Sequence, residues 1–217
     1  MAAYNLVVTP PHITKVAEAD FPTRWGRFRI FGFEGSFDEN PTPHESVVER
    51  RTESAVALVM GDIHSQPPLV RIHSQCLTGD VFGSQRCDCR QQLELALQMI
   101  SEAGRGVLIY EEQEGRGIGL MAKLQAYELQ DKGLDTVEAN EKLGLKADYR
   151  QYSLPVEIMK ALGITRLRLL SNNPEKVKAV EDAGIEVVER VSAEVEAYPT
   201  SEAYLKTKRE KMGHIFG

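Results

Sequence analysis

The amino-acid sequence predicts an α/β fold. Three observations carry this. Short apolar runs rich in β-formers, such as AVALVM (Ala55 to Met60) and GVLIY (Gly106 to Tyr110), recur along the chain. Between them lie longer segments with apolar residues at helical spacing, closed by glycines. The 217 residues hold one uninterrupted series of these units, with no internal repeat, no low-complexity tract and no punctuation cutting out a second domain.

In chain order, residues 1–13 read as a loose N-terminal arm ended by Pro10-Pro11, leaving 14–217 as the domain. Trp25 to Phe33 alternates as a strand. The polar, acidic stretch from Glu34 to Ser54, with Pro41 and Pro43, reads as a long mobile connection. Strands follow at Ala55 to Met60 and Leu69 to His73. Cys89 to Ala103 has a broad apolar face (Leu93, Leu95, Leu97, Met99, Ile100) and predicts a helix ended by Gly104 and Gly106. Gly106 to Tyr110 is a strand and Gly119 to Lys132 a helix. Ala139 to Leu145 is a short helical turn and Pro155 to Leu162 a helix. Arg166 to Leu170 (strand), Pro174 to Ala183 (helix), Ile185 to Arg190 (strand) and Ser201 to Met212 (helix) complete the series.

Composition narrows the function. Lys and Arg total 26 against 32 Asp and Glu, a net charge of -6, which argues against a general nucleic-acid binder. It leaves room for a local basic pocket around a small anion. No apolar run is long enough to span a membrane, and the N-terminus has no signal-peptide pattern, so a cytoplasmic protein without a membrane partner is expected.

The three cysteines, Cys76, Cys87 and Cys89, form a C-x10-C-x-C cluster. An odd, clustered set is a poor disulfide framework and a good soft-metal site. Three thiolates leave a tetrahedral zinc one ligand short, the open position that a catalytic zinc keeps for water. The same spacing suits a structural zinc with a fourth ligand such as His73, or three buried free thiols.

Two strand-to-helix turns are suited to anions. Gln113 to Gly119 (QEGRGIG) combines glycines with Arg116, and Ser171 to Lys176 (SNNPEK) combines turn and N-cap residues with Pro174 and Lys176. Each is equally a plain turn. Asp148 and Arg150 in KADYR read alone as a surface pair, and Tyr127 as a core aromatic.

Taken together, RIHSQCLTGDVFGSQRCDCRQQLE (Arg71 to Glu94), QEGRGIGL, KLQAYELQDKGLDTVEAN (Lys123 to Asn140), LGLKADYR, LLSNNPEK and KTKREKMGH (Lys206 to His214) resemble the GTP cyclohydrolase II family in order and spacing from about Ile13 onward. The resemblance implies a zinc enzyme at the entry to riboflavin biosynthesis, in its monofunctional form. Such an enzyme removes C8 of guanine as formate, releases pyrophosphate and leaves a diamino-pyrimidinone ribosyl phosphate. The expected architecture is a single compact domain with a mixed, partly barrel-like sheet flanked by helices. The expected assembly is a homodimer with one zinc per subunit, and with magnesium on the triphosphate of GTP.

By position, the resemblance makes Cys76, Cys87 and Cys89 the zinc ligands. It makes Arg150 the nucleophile toward the α-phosphate, Asp148 its base, and Tyr127 a proton relay near the metal. It makes Arg71, Ile72, His73, Ser74, Gln75, Gln92, Glu114, Gly115, Arg116, Thr136, Ser171 and Lys176 the nucleotide-binding set, with Glu114 suited to the guanine edge. The chain departs from the family pattern at Gln75, where Glu is common, at Glu112, where Arg is common, and in the longer Glu34 to Ser54 stretch.

Overall fold

The computed structural model describes residues 11–38, 50–146, 148–201 and 215. Its strands are β1 (His12–Thr23), β2 (Gly26–Asp38), β3 (Arg50–Met60), β4 (Leu69–Ser74), β5 (Gly106–Glu111), β6 (Arg166–Leu170) and β7 (Glu186–Val191). Its helices are α1 (Cys89–Ala103), α2 (Leu120–Gln130), α3 (Thr136–Lys142), α4 (Ser153–Ala161) and α5 (Pro174–Asp182).

The strands form one sheet in the order β1-β2-β3-β5-β4-β6-β7, open between β1 and β7. The β1-β2-β3-β5 part is antiparallel, and the β5-β4-β6-β7 part is parallel. The α/β class and the mixed sheet follow the sequence reading.

Period-two alternation sorts the side chains to two faces. Val70, Ile72, Val107 and Ile109 pack on one face with Leu154, Ile158 and Met159 of α4 and Val180 of α5. Leu69, Leu108 and Phe28 pack on the other with Ala96, Leu97 and Ile100 of α1. The central strands thus lie between α1 and the α4/α5 pair, and β4 and β5 are covered on both faces, as parallel strands require.

Chain direction places the site. From β4 the chain runs through α1 to β5 on one side, then through α2, α3 and α4 to β6 on the other side of β4. Such a reversal opens a crevice beyond the carboxyl ends of the strands, where open α/β sheets bind ligands.

Two boundary readings are corrected. His12 and Ile13 belong to β1, not to a loose arm. That strand escaped the sequence reading because it is an almost wholly exposed edge, HITKVAEADFPT, with little apolar alternation. The supposed loop from 34 to 54 is paired strand at both ends, since Glu34 lies opposite Ser54 and Asp38 opposite Arg50. Polar residues suit that segment of the sheet, and the two prolines fall between its paired ends. Residues 1–10, 39–49 and the expected helix from 202 to 212 lie outside the described residues.

Candidate metal and nucleotide site

A cleft of about 1090 Å³, its solvent-facing mouth included, opens at the carboxyl ends of β4, β5 and β6. The three cysteines line it. Their sulfurs lie within 4.8 Å of one another, and Cys76 Sγ is 3.7 Å from Cys87 Sγ. Sulfurs about 2.3 Å from a tetrahedral zinc are spaced by about 3.8 Å, so the donor set fits that ion. Among the described residues no His, Asp or Glu joins the three sulfurs in the cluster. His73 points its Nε2 at Asp80 instead, which favours an open fourth position over a structural site.

Local geometry explains how distant cysteines meet. After β4 the chain makes one π-helical turn over Leu77–Val81, and Cys89 opens α1. Gly79 sits under the cluster: a Cβ there would stand 3.0 Å from Cys87 Sγ and 3.1 Å from Cys76 Sγ. Only the missing side chain leaves the sulfurs their space. Asp80 then ties the turn down. It accepts hydrogen bonds from the Cys76 backbone N–H (3.0 Å), the Tyr110 hydroxyl (2.9 Å) and His73 Nε2 (3.2 Å).

The parallel register arranges the floor of the cleft. His73 lies opposite Tyr110 and Ser74 opposite Glu111, and alternation sends the two pairs to opposite faces. His73 stacks on Tyr110 at 5.5 Å, and Ser74 Oγ donates to Glu111 Oε1 at 2.6 Å. Asp80 offers His73 only acceptors, so Nε2 carries the proton. Nδ1 remains a buried lone pair without a protein partner.

The cleft is strongly cationic in depth. Lys176, 4% exposed, donates to Ile72 O at 2.9 Å and approaches Ser74 Oγ at 3.4 Å. Arg71, 6% exposed, donates to Leu170 O (2.9 Å) and Gln92 Oε1 (2.6 Å), and Gln92 is itself fixed by Asp88. Burial pushes the ionisation of Lys176 down, and the positive charges of Arg150 and Arg71 push it further. Buried cations that repel one another are costly, and a bound polyanion offsets that cost.

Arg150 is held by Asp148 in a two-pronged pair, Nη2 to Oδ2 at 2.5 Å and Nε to Oδ1 at 3.0 Å. Burial would push Asp148 up, but the hydrogen bonds and charge of Arg150 outweigh it and hold the carboxyl below its usual range.

The glycine turn supplies the remaining wall. Gly115 and Arg116 both adopt left-handed backbone, φ 61° and 62°. For Arg116 this is the strained, sparsely occupied conformation that clusters at functional sites. The Arg116 carbonyl accepts from Tyr149 N–H at 2.9 Å, joining this turn to the Asp148–Arg150 segment. Gly117 permits that approach, since a Cβ would lie 3.0 Å from Tyr149 Cβ.

Most of the sequence-predicted residues come together. The cysteines, Arg71, His73, Ser74, Gln75, Gln92, Glu114, Gly115, Arg116, Tyr127, Thr136, Arg150, Ser171 and Lys176 all line the cleft. Ile72 does not: its side chain is 1% exposed in the core, and only its carbonyl faces Lys176. Asp148 stands behind Arg150. Tyr127 OH lies 3.3 Å from Thr78 Oγ1, which lies 3.7 Å from Cys76 Sγ, so the phenol reaches the cluster through Thr78. Glu112 is exposed and outside the lining, so the family departure there leaves the cleft's charge alone. Glu114 is engaged by protein donors: Leu77 N–H at 2.6 Å on one oxygen, and Gly115 N–H (2.9 Å) and Lys123 (2.7 Å) on the other.

Sequence reasoning gave no role of their own to Asp80, Glu111 and Lys123. Glu111 left a signal, an acid closing the otherwise apolar strand GVLIYE. The other two left none, because the π-helical turn at Leu77–Val81 folds Asp80 back on Cys76 and His73, and α2 carries Lys123 to Cys76 and Glu114.

This constellation matches a known family model. Residues 14–192 match the model for GTP cyclohydrolase II. The chain belongs to the GTP cyclohydrolase II family. It is 52% identical over 201 residues to the GTP cyclohydrolase-2 of Buchnera aphidicola, covering 92% of this chain and 97% of that one. It is 52% identical over 206 residues to the GTP cyclohydrolase-2 of Citrobacter koseri, covering 94% and 98%. The riboflavin biosynthesis protein RibBA of Chlorobium phaeovibrioides is 48% identical over 204 residues, and there the chain spans 47% of the relative's length. The GTP cyclohydrolase II match thus covers the whole cysteine, glycine-turn and Lys176 constellation, and ends just past β7.

Proposed function

We propose that this GTP cyclohydrolase II hydrolyses GTP with one zinc held by Cys76, Cys87 and Cys89. It opens the guanine imidazole ring, frees formate and pyrophosphate, and so performs the first step of riboflavin biosynthesis. The observation that carries the reading is the sharing of one cleft by a three-sulfur donor set and buried cations. The first suits ring hydrolysis and the second a triphosphate. A zinc bound there supplies a Lewis acid that activates water for attack on the ring carbon.

The chain's own groups do the rest. Lys176, Arg71 and Arg116 draw the phosphates into the deep end, with magnesium accompanying the triphosphate as counter-ion. Tyr127, through Thr78, hands protons toward the cluster. Arg150 acts at the α-phosphate and Asp148 aims it. The pair also sets a demand on chemistry. Arg150 holds the Asp148 carboxyl in its charged form, so attack by Arg150 on the α-phosphorus, which forms a P–N bond as the P–O bond to pyrophosphate breaks, requires the guanidinium proton to pass to Asp148, and water must then cleave the P–N bond to free Arg150. Glu114, Gly115, Gln75, Gln92, Thr136, Ser171, His73 and Ser74 surround the base and sugar.

We further propose a homodimer acting in the cytoplasm. The exposed Met121 and Leu124, one turn apart on α2, are apolar surface of the kind an interface covers. No helix among the described residues is long and apolar enough to cross a membrane.

Stripping and restoring the metal tests the reading. Chelated enzyme should stop releasing formate from GTP, and stoichiometric zinc should restore it. Formate release that is indifferent to zinc would refute it.

A further inference from the structure

Lys123 stands where the two halves of the cleft meet. Its Nζ is 3.2 Å from Cys76 Sγ and 2.7 Å from Glu114 Oε1. It also lies 5.7 Å from the centre of the Tyr127 ring. Lys123 and Glu114 are each 11% exposed at the side chain, so this is no solvated surface pair. Glu114 in turn grips Leu77 N–H, the peptide next to Cys76, at 2.6 Å. Two links therefore run from the glycine turn to the cysteine turn, one directly from Glu114 to Leu77 and one from Glu114 to Cys76 through Lys123, which grips the carboxylate that both links share.

Charge gives the arrangement its purpose. Three thiolates around a divalent ion leave one net negative charge in a half-buried place. One ammonium offsets it. An N–H donated to a coordinated sulfur also lowers the electron density that the sulfur gives the metal and fixes its lone pairs, the work of an outer-shell partner.

We propose that Lys123 is a positioning residue that neutralises the metal-loaded cysteine cluster through Cys76 and simultaneously holds Glu114 in place against Leu77, so that metal and nucleotide walls are set by one ammonium. This rests on the three cysteines being the zinc site, as proposed above.

The test compares wild type, Lys123→Met, Lys123→Arg and Glu114→Gln. Zinc affinity is read by competition with a chromophoric chelator, and the sulfur-to-metal charge-transfer band is read in the cobalt-loaded proteins. Lys123→Met should raise the zinc dissociation constant about 10- to 100-fold, the usual cost of losing an outer-shell partner. Its cobalt band should move to lower energy, because the sulfur becomes a better electron donor. Lys123→Arg should restore most of the affinity.

Glu114→Gln keeps an acceptor for Leu77 N–H but releases the ammonium to Cys76. It should bind zinc no more weakly than wild type while losing affinity for a GTP analogue with a methylene α,β bridge. A pair that merely braces the fold would weaken zinc in both Lys123→Met and Glu114→Gln. That result, or an unchanged affinity and band in Lys123→Met, overturns the proposal. Circular dichroism of the metal-free proteins checks folding, and Lys123→Gln replaces Lys123→Met with the same expectations should the latter not fold. Wild type that binds no zinc at the cysteines would instead sink the zinc reading itself, and this proposal with it.

Discussion

Asp148 and Arg150, two positions apart on one extended segment, close a ring in which the backbone N–H of Arg150 (2.9 Å) and its Nε (3.0 Å) both donate to Asp148 Oδ1. The guanidinium is thereby aimed before any substrate arrives, and the Asp148 carboxyl is held below its usual range. Asp148→Asn keeps the shape and removes the charge. Its turnover should fall at least about 100-fold, as loss of an aiming group costs at a reacting centre. The sign of the pH effect is fixed. A lowered carboxyl contributes stability above its unfolded value of about 3.9 and loses it as pH falls through the lower folded value. The stability difference between wild type and Asp148→Asn should therefore be flat from about pH 5 to 8 and shrink below about pH 4. Denaturant melts of both proteins across that range check this.

Metal and phosphate chemistry should separate by mutation. Cys76→Ser removes a sulfur donor but leaves Arg150, Asp148 and Lys176 untouched. Formate release should vanish while some pyrophosphate release survives. Arg150→Ala should lose pyrophosphate release. Assaying both products from the same reactions decides it, and pyrophosphate release unchanged in Arg150→Ala would remove Arg150 from the α-phosphate step.

Two glycines two positions apart, Gly117 and Gly119, should differ sharply. At Gly119 (φ +83°, ψ 168°) an added Cβ meets nothing within 4 Å, so Gly119→Ala carries backbone strain alone, about 1–3 kcal/mol in this region that only glycine adopts readily. Gly104→Ala (φ +66°, ψ 5°), with nothing near its Cβ either, carries only left-handed strain, about 1–2 kcal/mol, at the other end of α1. At Gly117 (φ +85°) the Cβ would press on Tyr149, 3.2 Å from its backbone carbon and 3.4 Å from Arg150 N. Gly117→Ala should add a displacement of Arg150, cutting kcat at least about tenfold beyond Gly104→Ala at matched stability, since small misplacements at a reacting centre cost that much or more.

Glu111 is a stability test of the floor. It is 1% exposed, burial pushes its ionisation up, and it accepts from Ser74 Oγ and Gln113 Nε2. Glu111→Gln keeps the shape but removes the negative charge facing Lys176. It should cost about 1–3 kcal/mol by denaturant unfolding, the range for unbalancing one buried hydrogen-bonded group. Glu111→Leu removes in addition the acceptors of Ser74 Oγ and Gln113 Nε2 and should cost more, about 3–5 kcal/mol.

How legible this was in the sequence depends on what each residue is paired with. Strands β4 to β7 and helices α1 and α5 announce themselves because their apolar faces recur at period 2 or 3.6 within a few residues. β1 does not, because an exposed edge strand has no face to bury. The cysteines pointed to a soft-metal site without excluding three free thiols, and His73 was one candidate fourth ligand, whose ring direction is legible only through its contact with Asp80. Lys123 and Asp80 are invisible at the level of motif. Their partners lie 47 and 4 positions away, and what joins them is the fold of the Leu77–Val81 turn against α2. Glu114, read as a guanine-binding carboxylate, also accepts from Gly115 N–H of its own turn, from Leu77 N–H of the cysteine turn and from Lys123 of α2, partners that no motif spacing announces.

The central claim is that one cleft performs both ring opening with formate release and pyrophosphate release on GTP. Its most direct test is the product balance of the zinc-loaded wild-type protein with GTP and magnesium. Formate and pyrophosphate should each equal the GTP consumed. Consumption of GTP with pyrophosphate but without formate would contradict the claim by leaving the formyl group on the opened ring, and release of neither product would contradict it outright.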